Sequence, residues 1–501
     1  MKTVVAVLLA LACLAPLAPT SAAQSEGSDG QGVEEVWTGE DRTLTEDLVV
    51  ENGTTLVVRG IALWLDNVSV VVREQGRLVI ESSSNRSAIV ASHIGRSWNG
   101  TVLGKIELRG TATHPMVVQN VSGRSDSVPG VVSFSGGLAV RGGAIDMERV
   151  VFTGYTSGII VTQEATGRFS NVTFASGEGR GLVATRAGIE VSDSRFAGPG
   201  ATLFLSVATE EARLRNVSFG GSALAITIRA SNAQLRDVNV TASASCLWVM
   251  GGAEVTVDGF RCDYRDQGLT LSQIPNQPGD RPRFVAKGVN ATGPSAPGAA
   301  INVQSARLVE IRDSAIGPTG GHGVSSTGAI PRLRNVTFQG VGLYPLQLVT
   351  PDSEPDPVPP GGGEPGGMGW LGVVKSASVQ VIDPDGNPAS HARVQVSYRG
   401  NDTVAVAREL AEDGILPRVL LETMRVEADG TVVNSTYRLV ASQDSTGGYY
   451  DGELRTDGSL TRIVLVRAAS DPTPTSGIPA PPAPLLLLAL AGLALARRAR
   501  R

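Results

Sequence analysis

Two stretches decide how this chain is read: Arg213–Ser222, RLRNVSFGGS, and Arg332–Val341, RLRNVTFQGV, which agree at seven of ten positions. A third relative, RFSNVTFASG, occupies Arg168–Gly177. Working outward from the shared asparagine, the same turn position falls at Arg149, Asn171, Asp193, Asn216, Asp237, Asp258, Lys287, Asp313 and Asn335, mostly 21 to 23 residues apart, with two longer steps of 29 and 26. A second ladder runs half a period out of phase. It is a short apolar strand, often led by glycine: GLAV from Gly137, GIIV from Gly158, GLVA from Gly181, LFL from Leu203, LAI from Leu224, LWV from Leu247, GLTL from Gly268, INV from Ile301, GVSS from Gly323 and LQL from Leu346. Two interleaved ladders with one period predict units of two or more short strands whose apolar residues alternate inward. No such unit closes a core alone. Stacked units do, each hydrogen-bonding to those above and below. The N-terminal stretch fits the scheme, because VVENGTTLVV from Val49 and VVREQGRLVI from Val71 place Leu56 and Leu78 22 residues apart. The expectation is an all-β solenoid of roughly 22-residue coils over residues 36–349. At about 4.8 Å per coil, about fourteen coils make a rod on the order of 65 Å long.

Composition agrees. Of 501 residues, 60 are glycine and only 4% are aromatic, which favours strands and tight turns over helices. Lysine occurs only at Lys2, Lys105, Lys287 and Lys375; the arginine bias reads as genome composition. The net charge is −5 and no basic cluster precedes the last residues, so nucleic acid is excluded as an expected partner. Residues 1–23 read as a secretory signal, with Lys2, the apolar run VVAVLLALACLAPLA and a small-residue end; Cys13 leaves with it. The remaining cysteines, Cys246 and Cys262, fit either a disulfide or two buried small apolar residues.

Beyond the repeat, residues 350–369 form a Pro/Gly-rich linker and residues 370–467 alternate like the strands of a small β-sandwich around the Asp-Gly turn of DPDGN. Residues 468–484 are a Pro/Thr stalk. Residues 485–501 combine about twelve apolar residues with an Arg-rich end, short for a membrane span but suited to a membrane-proximal stop. The expected location is the surface or envelope of a bacterium or archaeon, with the membrane reached through this tail.

The coil length, the NVTF-like turns and the GIxV-like strands resemble the right-handed parallel β-helix of the pectin-lyase-like superfamily over residues 36–349. The run DPDGNPASHARV resembles carboxypeptidase-regulatory-like and Ig-like domains. The three-part C-terminus resembles PEP-CTERM and PGF-CTERM sorting tails, which implies a sorting transpeptidase as partner, although IPAPPAP stands where the signature letters would be.

An Asn or Asp at each tight bend can take the left-handed conformation and hydrogen-bond along the stack. Alternation of Asn with Asp fits a turn requirement, since Asp carries no glycan. Twelve sequons nonetheless make glycosylation a second expected use, at Asn52, Asn67, Asn85, Asn99, Asn120, Asn171, Asn216, Asn239, Asn290, Asn335, Asn401 and Asn434. GGHGVSSTG from Gly320 resembles a polygalacturonase stretch, which would make His322 catalytic, but the family's other motifs are missing and a strand start explains the same letters. Asp237 and Asp258, read as neighbouring rungs, could serve a lyase or hold Ca²⁺, or be solvated turn residues. DPDGN reads as a turn, not a calcium loop. The tryptophans Trp37, Trp64, Trp98, Trp248 and Trp370 are scattered, and Trp98, in the loop-like stretch HIGRSWNGT, is the candidate among them for an aromatic platform. The functional expectation is an anchored surface protein that is structural or binds carbohydrate or other surface proteins. The rival is a polysaccharide lyase or glycoside hydrolase, favoured if acids and Arg or Lys share one face beside a groove.

Overall fold

A computed structural model describes residues 32–467, except 94–95, 122–124, 127–133, 136, 156–157, 176, 178, 208–209, 275–279, 328, 350–361, 364–366, 401, 445–447 and 457–459. The segments read from sequence as signal, stalk and tail, and Asn401, lie outside the described residues. Two compact units are present, Met1–Val373 with Arg425–Val433, and Val374–Met424 with Asn434–Arg501.

The first unit is a parallel β-solenoid of about 13 coils, with no helix among the described residues. Each coil contributes three faces, as separate strands early in the stack and as the unbroken runs Asn232–Met250 and Glu254–Ser272 in its middle, and each face pairs in parallel with its equivalents in neighbouring coils. On the first face Lys105–Arg109 pairs with Arg77–Glu81 and Ala144–Glu148. On the second, Met116–Gln119 pairs with Val150–Thr153. On the third, Ile159–Thr162 pairs with Leu138–Arg141 and Leu182–Thr185. Stacking in register puts like on like. Leu138, Ile159, Leu182, Leu203, Ile226, Leu247, Leu269, Ile301, Val324 and Leu346 form one inward row, all buried. In the LAI coil the inward place belongs to Ile226 and not to Leu224, which pairs instead with Ser245. On the second face, Phe174, Phe196 and Phe219 stack with ring centroids 4.6 Å apart. Burial of a side chain that size contributes several kcal/mol, which no isolated coil could collect.

The asparagine ladder marks the corner between the first and second faces. Arg149, Asn171, Asp193, Asn216, Asp237, Asp313 and Asn335 all have φ between 47° and 54°. Asn216 Nδ2 donates to Asp193 Oδ1 and Asn335 Nδ2 to Asp313 Oδ1, both at 2.8 Å. At two rungs the residue expected from spacing is displaced by one. Gly259 (φ 77°) and Gly288 (φ 68°) take the left-handed position, because glycine does so without a Cβ penalty. Asp258 and Lys287 fall back into the preceding strand, where they stack between Arg236 and Arg312. A second left-handed ladder, Arg186, Val207, Ala230 and Gly251, turns the third face into the first and carries no compositional signature.

The solenoid begins at Val33, slightly before the expected Val36. Its first coil is capped. Register with Leu56 and Val58 places Glu35 and Trp37 over the core, where Trp37 Nε1 donates to Glu35 Oε1 at 2.6 Å and the Arg42 guanidinium lies 4.3 Å from the indole centroid. A charged lid of this kind discourages end-to-end pairing. Within residues 350–369, read as linker throughout, Gly362–Gly363 extends the second face by pairing with Thr337–Phe338. Cys246 and Cys262, from successive coils and both fully buried, are joined by a disulfide with Cα atoms 6.0 Å apart.

The second unit contains a five-stranded antiparallel sheet formed by Val404–Glu409, Arg393–Tyr398, Tyr437–Gln443, Gly448–Leu454 and Val466–Arg467. Val394, Val396, Leu439 and Ala441 of this sheet share one core with Val379, Val381, Leu416 and Ile463. DPDGN is a turn: Asp383 Oδ1 accepts from the backbone N–H of Asp385 and Asn387 at 2.9 and 2.8 Å. Those donors hold the Asp383 carboxyl below its usual range.

Candidate functional site

Outward side chains of the first face line up in rows, one residue per coil. In one row Lys105 is followed by Ala144, Thr166 and Gly188. Three short side chains in succession leave a trough of about 710 Å³, closed at one end by Lys105 and at the other by Glu210 and Glu211. The Glu210 carboxylate leans over Gly188, where a Cβ would sit 2.9 Å from Oε2. The adjacent row forms the side wall and alternates in sign: Asp146, Arg168, Glu190 and Arg213. Arg168 lies 3.8 Å from Glu190, Arg213 4.0 Å from Glu211, and Gln234 Nε2 donates to Glu211 at 2.8 Å. These groups stay largely solvated, so their pairing contributes little stability and leaves them available to a ligand.

At the Lys105 end stands Glu107, whose side chain has no solvent exposure although its partners are nearly half exposed. Arg77 Nη2 lies 2.8 Å and Lys105 Nζ 2.9 Å from Oε1, and Arg109 closes on Oε2. Burial pushes the Glu107 carboxyl up. The hydrogen bond from Lys105 and the charges of Arg109 and Arg77 outweigh that and hold it below its usual range. The same row repeats the device at Glu310, covered by Arg312 at 2.6 Å and Arg334 at 3.8 Å.

None of the residues singled out from sequence lines the trough. His322 is half-buried, accepts from the Tyr344 N–H through Nδ1 at 3.3 Å, and lies nearly parallel to the Tyr344 ring. Burial alone lowers its pKa to about 4, so it is neutral at neutral pH, and no carboxylate contributes to the shift. Asp237 is an exposed corner residue 3.6 Å from Arg236. Asp258 belongs to the outward row between Arg236 and Lys287, so the two acids are not equivalent rungs. Among the described residues no group of three or more His, Cys, Asp or Glu is placed to hold a metal ion. Trp98 is no surface platform: it is buried, and its Nε1 donates to the Gln119 carbonyl at 2.9 Å.

The sequons divide by position. Asn67, Asn120, Asn171, Asn216 and Asn335 sit in left-handed turns, and Asn120 Nδ2 is further tied to the Ser92 carbonyl at 2.9 Å. Asn52, Asn85, Asn239, Asn290 and Asn434 are exposed, and Asn99 is half-buried at the start of a strand. The trough escaped the sequence reading because Ala144, Thr166 and Gly188 are unremarkable letters until three coils are superposed.

Fold and surface together define a parallel β-solenoid with a polar trough across several coils. No family model matches the chain, and no curated protein matches its sequence. Among solved structures, the crystal structure of the periplasmic alginate epimerase AlgG is similar, at 10% identity with a TM-score of 0.34 over 64% of this chain and 73% of that one. No helix among the described residues is long and apolar enough to cross a membrane.

Proposed function

We infer that this is an exported surface protein whose solenoid binds an extended carbohydrate along the trough, with the 370–467 unit as an Ig-like spacer and the C-terminal segment as a sorting or anchoring tail. The carrying observation is the run Ala144, Thr166, Gly188 between Lys105 and Glu210–Glu211, which opens a channel parallel to the stack and walls it with accessible charges of both signs. The groups most displaced by burial, Tyr437, Tyr155, Tyr264 and His322, do not line it. The trough therefore supports binding better than bond cleavage.

One observation favours the rival reading, a polysaccharide lyase or hydrolase: acids and cations of the middle coils share this face beside a groove. The test is a glycan-array screen of the intact protein beside a depolymerisation screen on acidic polysaccharides, with and without Ca²⁺. Ala144→Trp, which fills the trough without altering charge, should abolish array binding. Binding unchanged in that variant refutes the trough as the site. New reducing ends or unsaturated products, lost in Ala144→Trp, would replace the binding role with the enzymatic one.

A further inference from the structure

The third face differs in chemistry from the first. From Trp248 onward its outward row reads Trp248, Thr270, Asn302, Ser325 and Gln347, one residue per coil and none of them charged. Trp248 is 38% exposed. Its Nε1 donates to Ser272 Oγ at 2.9 Å, in the next coil and the neighbouring outward row, so the indole is pinned across the sheet. Thr270 and Ser272 are buried although both point outward. An exposed indole held across a sheet by its polar edge is a restrained aromatic surface with that edge already satisfied.

The amides beyond it are oriented as well. Gln267 Oε1 accepts from Thr270 Oγ1 at 3.1 Å and from Asn302 Nδ2 at 3.3 Å. Gln347 Oε1 accepts from Ser325 Oγ at 3.0 Å. Each amide so held keeps one end for a ligand: with the oxygens and nitrogens placed as here, these are the Nε2 groups of Gln267 and Gln347 as donors and Asn302 Oδ1 as an acceptor. These groups follow the indole at a rise of about 4.8 Å per coil, roughly the advance of one sugar ring: Gln267 in the next coil, Asn302 in the one after and Gln347 two coils beyond that.

We propose that this row, Trp248 to Gln347, together with Gln267 beside it, is a second binding site, for a neutral linear polysaccharide that stacks one sugar face on Trp248 and exchanges hydroxyl hydrogen bonds with Gln267, Asn302 and Gln347. Sugar rings present C–H faces to an aromatic plane, and hydroxyls both donate and accept, which uncharged amides match. Anionic polymers and nucleic acids need cations, and this row has none. The site lies on a different face from the trough and stands or falls separately.

Affinity electrophoresis of the intact protein decides it, in gels containing neutral β-glucan, mannan, xylan or galactan, beside gels containing alginate or polygalacturonate. At least one neutral polymer should retard the wild type. Trp248→Ala should weaken that retardation on the order of tenfold. Asn302→Ala should weaken it less, and Ala144→Trp in the trough should leave it intact. Trp248→Phe, which keeps the plane and loses the Ser272 bond, should retain part of it and serves if the alanine variant folds poorly. Retardation by anionic polymers alone, by none of the polymers, or equally in wild type, Trp248→Ala and Asn302→Ala overturns the proposal.

Discussion

Phe196→Ala tests the physical basis of the solenoid. The Phe196 ring lies between those of Phe174 and Phe219, at 4.6 Å and 12° to each, and is fully buried. Removing a buried phenylalanine side chain costs about 3–5 kcal/mol when the site cannot collapse. Collapse is blocked here, because Arg195–Ala197 is held in register with Thr173–Ala175 on one side and with Ala212–Gly220 on the other. Two stacked ring pairs are lost as well, each contributing about 0.5–1.5 kcal/mol beyond burial, which places the total near the top of that range, about 5 kcal/mol. Urea unfolding followed by far-UV circular dichroism measures the total. Hydrogen exchange read by mass spectrometry locates it. In a stack whose coils touch only their neighbours, lost protection should concentrate in the strands that carry Phe174, Phe196 and Phe219 and fade within a few coils. Phe196→Leu should recover most of the loss. A destabilisation below about 1 kcal/mol, or a protection loss as large at Leu48–Val50 as at Phe174, would refute the column argument.

Glu107→Gln removes the carboxylate shared by Arg77, Lys105 and Arg109 and should cost about 1–3 kcal/mol at neutral pH by urea titration. The folded-state pKa of Glu107 is lowered, so its contribution is complete above the ordinary value of 4.5 and fades as pH falls through the folded value; the variant's melting temperature should fall less steeply on that acid limb. Val207 is a β-branched residue at φ 50°, 48% exposed, so Val207→Asn should relieve strain without loss of packing and stabilise by about 1 kcal/mol in the same titration. The bridge between Cys246 and Cys262 closes a separation of 16 residues, so Cys246→Ser/Cys262→Ser should lower stability by about 3 kcal/mol, and reductant should leave that variant unchanged while weakening the wild type.

By itself the sequence determined the solenoid and one of its corners. A left-handed bend that stacks on its own copies admits few residues, so Asn171, Asn216 and Asn335 repeat visibly, and the inward rows repeat because only apolar side chains close the column. Spacing failed by one residue at Asp258 and Lys287, where an acid or base stands next to a glycine and the glycine takes the bend. The corner through Arg186, Val207 and Ala230 was illegible, because hydrogen bonds from adjacent coils hold those residues left-handed against their own preference. Tertiary structure alone decided the outer faces. Whether Ala144, Thr166 and Gly188 make a trough, or Trp248 is held to Ser272, depends on which residues three coils bring to one row. Inserted loops of unequal length shift that alignment without leaving a mark in the local sequence.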